Sequence, residues 1–190
     1  PHAWHFGNLK DLPDMIHGVR VLRGVEANAV DFEGTLDMED WLLDRLELVV
    51  VSMHGGLMPA GPVEACTAAW LGVAKNPRVD IIGHSGTPEF AYDYASVIPV
   101  FGAYGKAVEL NEHSFGVRAS SIPNCRKIAA LCRQFEVPVV VDSDAHYHTH
   151  IGKFPRWSEL LREMDFPEEL IVNSSRERMN AFFARRGITF

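Results

Sequence analysis

Acidic and imidazole side chains follow the apolar run at residues 137–141, in the segment Asp-Ser-Asp-Ala-His that ends at residue 146. A short run rich in β-branched residues is typical of a buried parallel strand. Asp144 and His146 therefore stand near the carboxyl end of a predicted strand, where α/β barrels place their functional side chains. Carboxylate and imidazole together are typical ligands of zinc. Taken alone, the segment is equally typical of a capped turn followed by an exposed histidine.

Three earlier apolar runs end in side chains of the same chemistry, Glu26, His54 and His84, and a fourth ends in Asn111. One such residue at a strand end is usually an ordinary polar side chain with a partner, but the whole set is difficult to explain in that way. Glutamate, aspartate and histidine supply the ligands that zinc, manganese and iron prefer. The sequence predicts a site for divalent metal ions, with zinc favoured and manganese or iron also possible. The predicted ligands are Glu26, His54, His84, Asp144 and His146.

A site of histidines and carboxylates with open coordination positions is catalytic in style, and no thiolate takes part in this one. Such sites activate water and stabilise anionic oxygens. If Glu26 bridges two metal ions, the pair could hold a phosphate between them. We assign the acid and base roles at the rim of the site to Asp144 and His146.

The elements that must position these residues alternate between strand and helix about five times along the chain. Such alternation predicts a parallel sheet with helices outside it, and the strand ends then converge on one face. Asp37 is a candidate N-cap of the first of these helices. The predicted strands cover residues 19–26, 46–56, 79–86, 107–113 and 137–141. The predicted helices cover residues 37–46, 62–74, 92–104, 123–135, 155–164 and 176–186.

Two terminal segments have open interpretations. Residues 1–13 are predicted to be a loop, which either covers a pocket as a lid or packs onto the core through its aromatic side chains. We include His5 from this loop among the predicted substrate-binding residues. The final predicted helix, at residues 176–186, is strongly basic on one face, which we interpret as a solvated surface.

Length and composition favour a single domain over residues 1–190. The net charge of −7 argues against binding to nucleic acid. No apolar run approaches the length of a membrane span, and no signal peptide is visible, so a cytoplasmic location is expected. The three cysteines fall in predicted helices, where buried free thiols and a reducing compartment are the expectation.

Six stretches carry a resemblance to a known family: Pro-His-Ala-Trp-His-Phe at 1–6, Leu-Arg-Gly-Val-Glu-Ala-Asn at 22–28, Ser-Met-His at 52–54, Ile-Gly-His-Ser-Gly at 82–86, Val-Glu-Leu-Asn at 108–111 and Asp-Ser-Asp-Ala-His at 142–146. With these stretches the chain resembles the PHP-domain (polymerase and histidinol phosphatase) proteins, in particular the small phosphatases with a trinuclear zinc centre. The resemblance covers nearly the whole chain. It implies a distorted (β/α)₇ TIM-like barrel and metal-dependent hydrolysis of a small phosphorylated substrate.

The resemblance also implies a role for each predicted ligand. Glu26 resembles the bridging carboxylate of the family, and His54 and His84 resemble the two imidazoles that share one metal with it. Asp144 resembles a ligand of the second metal, and His146 resembles a ligand of the third.

Two further residues are implied to meet the substrate. Asn111 resembles a residue that lines the mouth of the site, and Arg118 lies where the family often has a basic residue for the phosphate. A surface arginine is the alternative for Arg118. After Asn111 the chain has Glu112 and His113, where relatives often have small polar residues, so the family pattern is not followed in that loop.

The chain also departs from the family at its start. The family's first two strands carry a His-x-His motif and an Asp-His pair, and neither is present, so about five of seven strands are expected. The missing part would be about 60 residues, either truly lost or belonging to a longer protein. An open barrel would expose sheet edges and favour pairing with another chain, which makes a homo-oligomer possible.

Three functional hypotheses follow from the sequence. The first is a metal-dependent phosphatase or phosphoesterase. The second is a degenerate PHP-like domain without catalysis, which acts as an interaction or structural unit. The third is an amidohydrolase-type enzyme that acts on C–N bonds. No predicted strand ends in a lysine that could be a bridging ligand, and this counts against the third hypothesis.

Overall fold

The computed structural model describes residues 3–190, and its centre is one sheet of five parallel strands. Pro1 and His2, the first residues of the predicted loop and of the stretch at 1–6, lie outside the described residues. A small antiparallel hairpin, β1 (Met15–Ile16) and β2 (Val19–Arg20), precedes the sheet. The sheet follows in chain order as β3 (Gly24–Asn28), β4 (Leu48–Ser52), β5 (Ile81–Ile82), β6 (Ala107–Asn111) and β7 (Val139–Asp142).

Helices connect the strands and complete the chain. They are α1 (Ala3–Gly7), α2 (Asp40–Leu43), α3 (Val63–Lys75), α4 (Tyr94–Ala103), α5 (Ser114–Val117), α6 (Ile122–Gln134), α7 (Pro155–Glu163) and α8 (Arg176–Phe183). Short 3₁₀ segments occur at Asn8–Asp11, Pro88–Phe90, Ala119–Ser121, His148–His150, Glu168–Leu170, Val172–Ser174 and Ala184–Arg186. Within the described residues, no helix has the length and apolar character needed to cross a membrane.

Successive residues of the strands pack into two different apolar clusters, as alternation along a strand requires. Val51 and Ile82 belong to the larger cluster, which also contains the buried faces of α3, α4, α6 and α7. Val50 and Ile81 belong to a smaller cluster on the other face of the sheet. That face, called the inner face below, is covered by Val172 and by Met179 and Phe182 of α8.

The structure confirms the predicted α/β class and the five parallel strands with helices between them. The seven-strand barrel and the single domain over residues 1–190 stay predictions. The helices predicted at 62–74, 92–104, 123–135 and 155–164 are found within two residues of their expected bounds. The three cysteines are free and buried, also as predicted.

Several predicted elements are wrong in detail. The strand predicted at 19–26 is two strands, because β2 pairs with β1 in the hairpin and β3 begins only at Gly24. The described part of the predicted loop at 1–13 is mostly α1 and a 3₁₀ turn. Its sequence contains no helix breaker before Gly7. Phe6 is buried in the larger cluster, which supports an aromatic anchor for this segment.

The basic end of the chain is more than the predicted solvated face: Arg176 is exposed, but two later arginines bind a buried carboxylate. Asp80, which directly precedes β5, is 0% exposed and accepts hydrogen bonds from Arg185 Nη2 at 2.6 Å and Arg186 Nη2 at 2.8 Å. The backbone N–H of Val49 donates to the same carboxylate at 2.9 Å. The two arginines thus attach the last helical turn to the amino ends of β4 and β5.

Replacing this anchor should destabilise the fold. Asp80→Asn leaves two arginines without their counter-charge, and we expect it to lower the free energy of unfolding by about 3–5 kcal/mol, the usual cost of breaking a buried ion pair. The measurement is urea unfolding followed by circular dichroism. Asp44→Asn is the control, because the ion pair of Asp44 with Arg78 lies at the surface. Equal losses in the two variants would contradict this account of Asp80.

Candidate metal centre

Three predicted ligands meet at the carboxyl ends of β3, β4 and β5. Glu26 lies in β3, while His54 and His84 each follow their strand by two residues. Glu26 Oε1 lies 3.2 Å from His84 Nε2 and 3.8 Å from His54 Nε2, and the two Nε2 atoms are 3.1 Å apart. The donor atoms all lie within 4.8 Å of one another. Because metal–ligand bonds are about 2.0–2.2 Å long, one ion can bind all three after small adjustments.

The register of the sheet positions the carboxylate of Glu26. Glu26 pairs with Val50 and Asn28 pairs with Ser52, so these side chains share the inner face. The hydroxyl of Ser52 donates to Glu26 Oε1 at 2.6 Å. Gly83 in the neighbouring segment is required here, because a Cβ at that position would lie 2.2 Å from Ser52 Oγ.

A chain of two hydrogen bonds, from His54 to Asn28 and from Asn28 to Asp37, fixes the protonation state of His54. The Asn28 amide nitrogen donates to Asp37 Oδ2 at 2.6 Å, so its oxygen faces His54 Nδ1 at 2.8 Å. Nδ1 must then carry the proton, which leaves a lone pair on Nε2 directed towards Glu26 and His84. This arrangement is typical of metal-binding histidines, whose second nitrogen is held by another polar group.

His84 is held through its backbone. Its side chain is almost fully buried, and its backbone N–H donates to Glu109 Oε2 at 2.5 Å. The φ angle of 20° lies in a region that side chains rarely adopt. The contact with Glu109 and the hydroxyl of Thr87, which donates to the His84 carbonyl at 3.2 Å, both hold this conformation.

The ionisation of these side chains suits metal binding. The hydrogen bond with His84 lowers the pKa of Glu26 to about 2. Burial, reinforced by the neighbouring His84, lowers the pKa of His54 below its ordinary value. At neutral pH Glu26 is therefore an anion and His54 is a neutral imidazole, which are the forms that bind a metal. The donor set and its protonation fit a divalent ion.

Two further acids lie beneath the ligands, on β6 and β7. Burial, and then the charge of Asp142, raise the pKa of Glu109 well above its usual range. Burial also raises the pKa of Asp142 to about 6. Burial and the proximity of the two acids therefore disfavour the charged form of both, most strongly at Glu109. One oxygen of Glu109 remains free to accept from His84.

The predicted residues Asp144, Asn111 and Arg118 form a second group beside the first. Asp144 Oδ2 accepts from Asn111 Nδ2 at 3.0 Å and from Arg118 Nη2 at 3.3 Å. Asn111 is buried, and its oxygen accepts from the backbone N–H of Ser114 at 2.9 Å. Arg118 and Asp144 are close enough to His54 for their charges to act on its pKa in opposite directions.

His146 lies at the outer edge of this second group. Its Nδ1 is 3.0 Å from the backbone oxygen of Asp144 and 3.7 Å from the Oδ1 of that residue. The ring stacks on His113 with 4.6 Å between centroids. The side chain remains 70% exposed. His146 therefore keeps most of its ring accessible, and its Nε2 makes no hydrogen bond to another described residue.

Of the predicted ligands, the structure brings Glu26, His54 and His84 together and places Asp144 and His146 in the adjacent group. Metal binding by the last two stays a prediction. His5, predicted to bind substrate, lies on α1, where its exposed ring packs edge-on against Phe6. Within residues 3–190, no hydrogen bond or ion pair joins it to the site.

Several residues of the site were not singled out from the sequence. Asn28 and Ser52 stand two positions from a predicted ligand, so strand alternation could have indicated them. Asp37 was predicted to cap a helix at 37–46, which is wrong, because α2 begins only at Asp40 and Asp37 binds Asn28. No local signal in the sequence indicates this contact across a loop.

The protein is thus an α/β protein with a carboxylate and two imidazoles at the carboxyl ends of a parallel sheet. Its sequence is 41% identical over 186 residues to a protein of Acetivibrio thermocellus named probable phosphatase, covering 98% of this chain and 77% of that protein. Probable phosphatases of Clostridium novyi (37% identity, 98% and 77% coverage) and Caldicellulosiruptor bescii (41%, 96% and 76%) are similar to it as well. No protein-family model matches the chain.

The chain belongs to the family of these probable phosphatases, since identity at this level extends over almost all of it and over three quarters of each relative. Membership of the PHP-domain proteins stays a prediction.

Removing one imidazole should remove metal. We expect His54→Ala and His84→Ala each to bind at least one divalent ion fewer per chain than the unchanged protein, because two ligands rarely retain an ion through dialysis. Metal is counted by elemental analysis, and circular dichroism checks the fold. His148→Ala, at an exposed position outside the three-ligand group, is the control. Wild-type metal content in both ligand variants would exclude this centre.

The orientation of His54 can be tested separately from the ligand itself. Asn28→Ala removes the acceptor of Nδ1, and we expect metal affinity to fall about 10- to 100-fold, as for other residues that hold a ligating histidine. Affinity is measured by competition with a chelating dye. Asn180→Ala serves as the control, since Asn180 lies on α8 and, within residues 3–190, its side chain accepts a hydrogen bond from the backbone N–H of Phe190 and from no residue of the site. An affinity unchanged in Asn28→Ala would show that His54 is positioned by other contacts.

Proposed function

We propose that the protein is a metal-dependent phosphatase that hydrolyses a small phosphate ester. The observation that carries this proposal is the convergence of Glu26, His54 and His84 on one point, with His54 held in the protonation state of a ligand. The names of the relatives support a phosphatase, and the resemblance to PHP-domain proteins supports a metal-dependent one.

Glu26, His54 and His84 would hold a divalent ion, with zinc favoured and manganese or iron as alternatives. Such an ion supplies a Lewis acid for the phosphoryl oxygens and lowers the pKa of water. The buried side chain of His84 and the bond of Ser52 to Glu26 hold two of the ligands in place before substrate arrives. This preorganisation limits the rearrangement needed on binding.

Arg118 is the residue that we assign to the phosphate group. Its Nη2 bonds to Asp144 and its Nε to Ser114 Oγ at 3.4 Å, which fixes the plane of the guanidinium. Within the described residues, Nη1 has no hydrogen-bond acceptor. A guanidinium fixed on one side in this way can donate from its free side to phosphoryl oxygens.

Asp144 and His146 are assigned to proton transfer. The bond from His146 Nδ1 to the backbone oxygen of Asp144 leaves Nε2 available to give a proton to, or take one from, the leaving group. Asp144 holds both His146 and Arg118, so it positions the acid and the phosphate-binding group relative to each other.

The activity is tested by hydrolysis of p-nitrophenyl phosphate. We expect turnover that is lost on treatment with a chelator and regained on addition of zinc, manganese or iron. Turnover that survives complete removal of metal would overturn the proposal. Metal binding without turnover of any phosphate ester would favour the non-catalytic alternative.

Arg118→Met should raise KM for p-nitrophenyl phosphate and lower kcat/KM by about 10- to 100-fold, because a charge-assisted hydrogen bond to the phosphate is lost. Metal content should not change, since Arg118 is not among the ligands. Arg126→Met is the control, because Arg126 is exposed on α6 and its one ion pair among the described residues is with the exposed Glu163. If the two variants have the same kcat/KM, Arg118 does not bind the phosphate.

A further inference from the structure

A cavity of about 320 Å³ opens directly beside the second group of site residues. It lies between the loop after β6, the loop after β7 and the start of α7. We call it the side pocket. Its polar and aromatic lining includes Glu112, His113, Phe115, Ser143, Lys153 and Arg156.

The side pocket adjoins the site through two residues. His113 stacks on His146, the residue assigned to the leaving group, with ring centroids 4.6 Å apart. Ser143 directly precedes Asp144 in the chain. A substrate whose phosphate lies at Glu26 and the two imidazoles would therefore extend its remaining part past His146 into this cavity.

The charge of the side pocket is unbalanced. Lys153 and Arg156 line it, and within residues 3–190 neither has a carboxylate partner. Arg156 lies over the ring of Phe115, with 5.4 Å between its guanidinium carbon and the ring centre, which limits the positions that its charge can take.

Glu112, the one acid that lines the side pocket, accepts hydrogen bonds from backbone N–H groups. Glu112 accepts from the backbone N–H of Arg156 at 3.2 Å and from that of Trp157 at 3.0 Å, so its two oxygens cap the start of α7. Trp157 is fully buried, and its indole N–H donates to the Asn111 carbonyl at 3.0 Å, which fixes this end of α7 against β6. Glu112 keeps its negative charge, but its oxygens bind the backbone of α7, and the two cations of the lining still outnumber it.

We propose that the side pocket binds a second negatively charged group of the substrate, so that the preferred substrates are phosphate esters that also carry a carboxylate or another phosphate. This inference rests on the proposed phosphatase function and adds the substrate class. Lys153 and Arg156 are the residues that select for the second charge. They line the side pocket together with His113, whereas Arg118 bonds to Asp144 and is assigned to the phosphate that is hydrolysed.

The inference is tested with matched pairs of substrates on the metal-loaded, full-length protein. The pairs are 3-phosphoglycerate with glycerol 3-phosphate, for a carboxylate, and fructose 1,6-bisphosphate with fructose 6-phosphate, for a second phosphate. In one of the pairs, we expect kcat/KM to be at least about tenfold higher for the member that carries the second anionic group. One or two charge-assisted hydrogen bonds to that group provide a difference of this size. Which pair shows the preference identifies the group.

The double variant Lys153→Met/Arg156→Met should reduce this preference to about one while leaving kcat/KM for p-nitrophenyl phosphate within about twofold. Arg162→Met is the matched control, because Arg162 lies on α7 and is exposed outside the side pocket. A preference that persists in the double variant, or no preference in the unchanged protein, would overturn the inference. So would an equal loss of activity towards p-nitrophenyl phosphate, because the two cations would then serve the reacting phosphate.

A binding measurement separates this inference from the proposed function. Isothermal titration calorimetry compares 3-phosphonopropionate with propylphosphonate, neither of which can be hydrolysed as a phosphate ester. The unchanged protein should bind 3-phosphonopropionate at least about tenfold more tightly than propylphosphonate if the second group is a carboxylate. If it is a phosphate, a bisphosphonate should be preferred to the matched monophosphonate by the same factor. The double variant should show neither preference. If no phosphate ester is hydrolysed, the proposed function fails, and the calorimetric preference still decides whether the side pocket selects a second anion.

Discussion

The parallel pairing of β3, β4 and β5 is the constraint on which the site depends. Parallel strands end at the same edge of a sheet, and the register of β3 with β4 places Glu26 beside Ser52 on the inner face. A shift of one residue would turn Glu26 into the larger apolar cluster. The larger apolar cluster on one face and the smaller one on the inner face both oppose such a shift, so the hydrophobic core determines the geometry of a polar site.

Much of this arrangement could be predicted from the sequence, because its signals are local. An apolar run predicts a strand, and the polar residue at its end predicts a place on the edge of the sheet, which is how Glu26, His54 and His84 were recognised. The contacts of Asp37 with Asn28 and of Arg185 with Asp80 could not be predicted in this way. The first contact spans a loop of nine positions and leaves no local signal, and the second joins residues 105 positions apart, which only the packing of the fold brings together.

Two acids of the site differ in how the protein treats their charge. The hydrogen bond with His84 lowers the pKa of Glu26 to about 2, so Glu26 is an anion at neutral pH. Burial, together with the charge of Asp142, raises the pKa of Glu109 well above its usual range. Glu109 accepts the backbone N–H of His84, and its raised pKa disfavours a further negative charge at that position. Among the described residues, Arg118 adds a positive charge close enough to act on His54.

Strand β5 is only two residues long, and its ends serve different purposes. Asp80 precedes the strand and binds Arg185 and Arg186, while Gly83 and His84 follow the strand. Asp80 and His84 are four positions apart, or about 13 Å of extended chain. Detachment of the arginines would therefore loosen the backbone that presents His84 and would uncover the inner face under α8. We therefore expect the basic end of the chain and the backbone before His84 to open together, and such local opening would loosen the three-residue group that could hold a metal ion.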